Sequence, residues 1–195
     1  MRTTTFFAKR RFLKLALIGV GGAVAVAGGG VGYLTQTHRY RGRYGKLLAL
    51  DDHHADIVHA LAEACTPDRP GFPTVEQTEI VARLDEELFF VSDGICSEMK
   101  AALYLIEMLP LVSGHVSRLS CMPVAERRAF LAKASETRND TVRVAVSSLA
   151  AAMRWYYYGH PASWNAIGYD GPFMQLPEQH SEQRVFYAEL LKKNS

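Results

Sequence analysis

The sequence predicts an all-α protein, a single bundle of about five helices. An N-terminal signal or anchor helix precedes it, and an irregular aromatic loop and tail come after it. Three observations carry this prediction. From Asp51 onward apolar residues recur at helical spacing, as in Ile80, Leu84, Leu88 and Val91. Capping residues and breakers punctuate the pattern at Thr66-Pro67, Ser92-Asp93-Gly94, Asn139-Asp140 and Gly159. No stretch alternates apolar and polar residues as a half-buried strand would, and no internal repeat is present. At 195 residues, 48% of them hydrophobic, the chain has room for one ordinary domain plus a leader. The expected divisions are 1–34, 35–50, 51–159 and 160–195.

Each expected helix has its own signals. Asp51 or Asp52 caps the first, which carries Ile57, Leu61 and Ala64 on one face and stops at Thr66-Pro67. A proline-rich loop comes next, and Thr74 caps the second helix, with Asp85-Glu86-Glu87 expected to face water. The third holds Ile95, Met99, Ala102, Ile106 and Leu109 on one side and Tyr104, Met108 and Leu111 on the other. Apolar residues on both sides predict a central helix, and Pro110 can kink it. Pro123 fits the first turn of the fourth, with Phe130 and Leu131 buried and Glu126-Arg127-Arg128 exposed. Val142, Ala145, Leu149, Met153 and Tyr156 mark the buried face of the fifth.

The leader is basic and then apolar. Residues 1–27 hold Arg2, Lys9, Arg10, Arg11 and Lys14 and no acid. The chain's net charge is +2, so a leader of +5 leaves −3 on the rest and no case for nucleic acid as partner. Lys9-Arg10-Arg11-Phe12-Leu13-Lys14 resembles a twin-arginine export signal, with Lys9-Arg10 at the twin position once Phe12-Leu13-Lys14 is aligned. Seven glycines keep the uncharged run Leu15–Leu34 weakly hydrophobic, which suits that route; an ordinary secretory signal is the alternative. Ala25-Val26-Ala27 fits cleavage before Gly28, while the run also approaches the roughly 20 residues that span a bilayer, so an uncleaved anchor stays open. His38, Arg39, Arg41, Arg43 and Lys46 then form a basic linker able to touch anionic lipid or an acidic partner.

Motifs that carry chemistry are sparse. The sequence has no Gly-rich phosphate loop, no Cys-x-x-Cys-His haem site and no nucleophile elbow. His53 and Asp56 have the i, i+3 spacing of metal ligands on one helix face, but His54 and His59 do not, and solvated caps explain such histidines as well. Glu63, Glu98 and Glu107 lack the spacing of a di-iron site; Glu98 and Glu107 fall on the third helix as partly exposed charges or buried polar residues.

Cys65, Cys96 and Cys121 are an odd set, so export to an oxidising compartment would leave at least one thiol unpaired or shared between chains. A straight third helix would hold Cys96 about 30 Å or more from Cys121. With the first three helices running up, down and up, Cys65 and Cys121 share one end, which makes Cys65–Cys121 the expected bridge.

The segment least demanded by a fold alone closes the bundle. Tyr156, Tyr157 and Tyr158 spread over about 200° of a helix, so at least one must face outward or into a partner. Trp164 and the turn Gly168-Tyr169-Asp170-Gly171-Pro172 then add aromatic loop surface. Tyr and Trp are enriched at interface hot spots. The alternative is a loop packed back on its own bundle, with Trp164 as plug and Asp170 as turn former. The expected partner surface comprises Tyr157, Tyr158, Trp164, Ile167, Gly168, Tyr169, Asp170, Gly171, Pro172 and Phe173. The tail ends in a helical pattern, with Val185, Tyr187, Leu190 and Leu191, of the kind laid as an arm on another subunit.

The leader, the helical body and the ending Tyr-Tyr-x-x-Pro-x-x-Trp-x-x-Ile-Gly-Tyr-Asp-Gly-Pro resemble the small-subunit family typified by subunit 3 of membrane-bound gluconate 2-dehydrogenase. The resemblance covers about Lys9 to Phe173, and its specific part is Trp164 to Pro172. It implies a non-catalytic subunit without flavin or haem of its own. The partner would be a large FAD-containing subunit of the glucose-methanol-choline type, often with a multihaem cytochrome c. It implies further that the small chain stabilises the flavoprotein and supplies the export signal for the folded pair, placing the complex in the periplasm at the membrane. Competing expectations are a free-standing exported metal-binding protein using His53–His59 and an envelope protein anchored by Leu15–Leu34.

Overall fold

A computed structural model describes residues 43–172 and 181–193. The expected export signal Lys9–Lys14, the apolar run to Leu34 and Phe173 lie outside the described residues. Seven helices succeed one another: α1 (Asp52–Cys65), α2 (Ile80–Phe90), α3 (Asp93–Val112), α4 (Val124–Ser135), α5 (Asp140–Tyr158), α6 (Pro161–Trp164) and α7 (Glu182–Lys193). Short 3-10 turns stand at Leu119–Cys121 and Asn165–Ile167, and the described residues contain no strand. The all-α expectation holds. α1 to α5 are the five expected helices, α7 is the helical tail the sequence also predicts, and α6 is additional.

Caps fall where the sequence places them. The Asp51 carboxylate accepts the His54 amide, the Ser92 hydroxyl the Ile95 amide, and the Asn139 side chain the Thr141 and Val142 amides. Thr66 closes α1. α2 starts later than expected: the turn begun at Thr74 runs to Glu79, whose φ of 51° is left-handed, and regular α-helix begins at Ile80. Pro123 is the residue before the first turn of α4 rather than within it.

The central helix is α1, not α3. α1 is buried from His54 to Ala62 and packs against α2, α3, α4 and α5. α3 keeps one side to solvent, with Ile95 53% and Tyr104 36% exposed. Ile57, Leu61, Ile80, Leu103, Ile106 and Met153 meet in the core at no more than 1% exposure.

Two charged residues expected on the surface are fully buried. Asp85 of α2 accepts the amides of Leu48, Ala49 and Leu50 at 2.8, 2.9 and 2.6 Å. The incoming linker has no ladder of its own at those amides, so one carboxylate satisfies all three and pins the linker to α2. Arg127 of α4 donates to the carbonyls of Ala60, Leu119, Ser120 and Met122 and pairs with Glu63 at 3.0 Å. Arg128 beside it donates to the Glu63 and Thr66 carbonyls, so two guanidinium groups gather around the negative end of the α1 dipole. Glu107 is buried as well: Ser120 donates to it from N and Oγ, and Arg118 Nε lies 3.3 Å away. Burial pushes its carboxyl pKa up, against the Ser120 bonds and the Arg118 and Arg127 charges. Glu98 is exposed.

The expected Cys65–Cys121 bridge is not formed; all three cysteines are free thiols. The chain after Val112 reverses and folds back on α3, which carries Cys121 to the surface beside Ser120 and Arg118, whose Nε donates to its Sγ at 3.2 Å. Cys65 packs against the core instead, and burial pushes its thiol up to about 11.

Candidate partner-docking surface

The end of α5 is anchored before the aromatic turn begins. Tyr156 is buried, and its hydroxyl donates to Glu87 at 2.5 Å while its carbonyl accepts from Arg83 at 2.7 Å. Burial, then the hydrogen bond and charge of Glu87, keep the Tyr156 hydroxyl protonated far beyond its ordinary range. Tyr157 is fully buried and donates to the Pro73 carbonyl at 2.7 Å. Tyr158 is half-buried against the core, with its ring edge-on to Tyr157 at 5.1 Å. The three tyrosines therefore all find contacts within this chain. Tyr157 belongs to the core rather than to the expected partner surface, because α2 and the Pro73 loop close over that side of α5.

The chain then turns through α6. The His160 side chain accepts the Ala162 amide, Pro161 opens the helix, and the buried Ser163 hydroxyl donates to the Tyr157 carbonyl at 2.7 Å. Burial, and then the nearby Arg83 charge, push the His160 imidazole below its ordinary pKa. Trp164 is half-buried, and the turn from Asn165 to Pro172 wraps around it. Tyr169 donates its amide to the Trp164 carbonyl at 3.0 Å, and its ring stands edge-on to the indole at 5.3 Å and 81°. Gly168 and Gly171 have φ of 67° and 100°. A Cβ on Gly171 would stand 3.1 Å from the Trp164 ring, so glycine serves both the backbone angle and the close approach.

The result is a turn folded around its own tryptophan with an apolar rim outside. Ile167 is 46% and Tyr169 44% exposed, and Asp170 and Pro172 border them. Trp164 is half-buried and meets Gly171 and Tyr169 of its own turn, with an exposed rim outside. The largest exposed aromatic of the neighbourhood lies outside the expected partner surface. Trp155, on the outer side of α5, is 77% exposed. The helical phase of Met153 and Tyr156 assigns the buried face and thereby puts Trp155 outside, a signal legible in the sequence.

The histidines of α1 do not converge. His53 is half-buried and stacks on Tyr104 at 5.1 Å. His54 is buried and pairs through Nδ1 with Asp51 at 2.8 Å. His59 is buried lower on the helix, against the Tyr44 hydroxyl and 3.3 Å from Glu63. Glu63 and Glu76 border a cleft of about 330 Å³ with the proline-rich loop, and Arg127 and Arg43 already pair with them. Among the described residues no group of three or more His, Cys, Asp or Glu side chains is placed to hold a metal ion. No described helix is long and apolar enough to cross a membrane. No protein-family model, curated protein or solved structure matches the chain.

Proposed function

We propose that this chain is the non-catalytic small subunit of an exported, membrane-associated FAD-dependent dehydrogenase. In this reading it grips a large flavoprotein of the glucose-methanol-choline type through the turn from Tyr158 to Pro172. It delivers the folded pair through the signal at Lys9–Lys14, and a multihaem cytochrome c is a further partner. The flavin belongs to the large subunit, which acts on an alcohol, sugar or sugar acid. One observation supports this reading above others: the pre-shaped rim of Ile167, Tyr169, Asp170 and Pro172 over the Trp164–Gly171 contact. Side chains held in place before association lose little freedom on binding, which is what an interface anchor requires. The resemblance of Trp164 to Pro172 to the gluconate dehydrogenase small-subunit ending names the partner class.

Affinity purification of the tagged chain from its native envelope tests the proposal. A co-purifying large subunit with flavin absorbance is expected. The Tyr169→Ala, Asp170→Ala double variant should lose most of that subunit while keeping its helical circular dichroism. Recovery of wild-type chain without any flavoprotein, or equal recovery by the double variant, would overturn the assignment.

A further inference from the structure

The C-terminal helix is fastened to the bundle at few points. Among the described residues of α7 only Tyr187 is buried. Its hydroxyl donates to Asp85 Oδ2 at 2.5 Å, and its ring lies 5.8 Å from Phe89, edge-on, and 6.4 Å from Phe90. Arg184 adds an ion pair to Glu86 at 3.4 Å near the surface. Val185 and Phe186 point away, 46% and 51% exposed. Between the start of α7 and α2 a gap of about 380 Å³ remains, bordered by Arg83, Glu87, Phe90 and Gln183. Among the described contacts of α7 with α2 are one buried tyrosine and one surface ion pair, and Leu190 and Leu191 further along the helix are half-buried.

Asp85 makes this contact easy to reverse. Losing a hydrogen-bond donor normally strands a buried carboxylate at high cost. Here the amides of Leu48, Ala49 and Leu50 still hold Asp85 when Tyr187 departs. The departing hydroxyl exchanges the carboxylate for water. What undocking costs is then the apolar contact of one aromatic ring and the net worth of one hydrogen bond to a carboxylate.

We infer that α7 is a detachable strap, latched to α2 by Tyr187 on Asp85, which opens as a unit while the five-helix body stays folded. Opening uncovers the Phe89–Phe90 edge of α2 and frees the ring of Tyr187.

Hydrogen exchange of the full-length chain by mass spectrometry tests this directly. The amides of α7 should exchange together and well before those of α1 and α5, which pack in the core. Tyr187→Phe keeps the ring and removes the bond to the carboxylate. It should speed exchange in α7 about 10- to 100-fold, the range expected for a hydrogen bond to a charged group, and leave α1 and α5 unchanged. Protection of α7 equal to that of α1 in the wild-type chain would overturn the inference. So would a Tyr187→Phe chain in which α1 and α5 lose protection in step with α7, because the helix would then be part of the body.

Discussion

Asp85 shows what one side chain decides. The run Asp85-Glu86-Glu87 reads as a solvated face, yet Asp85 is fully buried and its three amide partners belong to the linker. Asp85→Ala removes the acceptor of three N–H groups and a tyrosine at once, and the prediction is a loss of about 2–4 kcal/mol on chemical denaturation. Asp85→Asn, which keeps one acceptor, should lose less. His54 gives a second residue-scale test. Burial holds its imidazole below the ordinary pKa, against the pull of Asp51, and its Nε2 is buried without a hydrogen-bond partner among the described residues. The charges bearing on it are Asp51 and Lys100, with His53 and Tyr104 packed against it. The unfolded chain therefore binds a proton at this site more readily than the folded one. Its contribution is complete above the unfolded value of about 6.5 and is lost as pH falls below it. Thermal midpoints from about pH 7.5 to about pH 5.5 should drop less in His54→Leu than in wild type. That comparison separates His54 from His160, whose imidazole shifts in the same direction, and from Glu107, whose raised carboxyl pKa acts with the opposite sign.

At the scale of elements, the turn after α6 depends on glycine rather than on the tyrosines around it. Gly171→Ala meets both a φ of 100° and a contact of 3.1 Å to Trp164, and should cost about 1–3 kcal/mol locally. Trp155 and Trp164 are the chain's two tryptophans, so a Trp155→Phe background makes fluorescence report Trp164 alone. A red-shifted emission in Gly171→Ala, with α5 intact by circular dichroism, is the expected result; an unshifted spectrum would show that the turn tolerates a side chain there. The helices themselves were readable because their caps are local: Asp51, Ser92 and Asn139 each bond amides within their own first turn. The start of α2 was not, because Glu79 takes a left-handed backbone that its side chain does not announce.

For the whole molecule, residues 1–27 carry +5 and the remainder −3, two parts of opposite charge. The proposed partnership has a consequence at this scale. A chain whose exposed apolar groups include Trp155, Ile167, Tyr169, Val185 and Phe186 should be less soluble alone than with its flavoprotein. Co-expression that leaves solubility unchanged would count against the shared interface.

The sequence by itself determined the five bundle helices, the caps of α1, α3 and α5 and most of the apolar core, because periodicity and capping are written within about four residues of each position. It also supplied the aromatic ending that suggests a partner. Tertiary structure alone decided that Asp85, Glu107 and Arg127 are interior, that α1 is the centre, and that Tyr157 faces the core. Each of the three buried charges is satisfied by groups distant in the chain: Asp85 by the linker amides, Glu107 by Ser120, Arg127 by the Ala60 carbonyl. A buried charge is recognised by the partners that fold around it, and those partners meet only when the chain is closed.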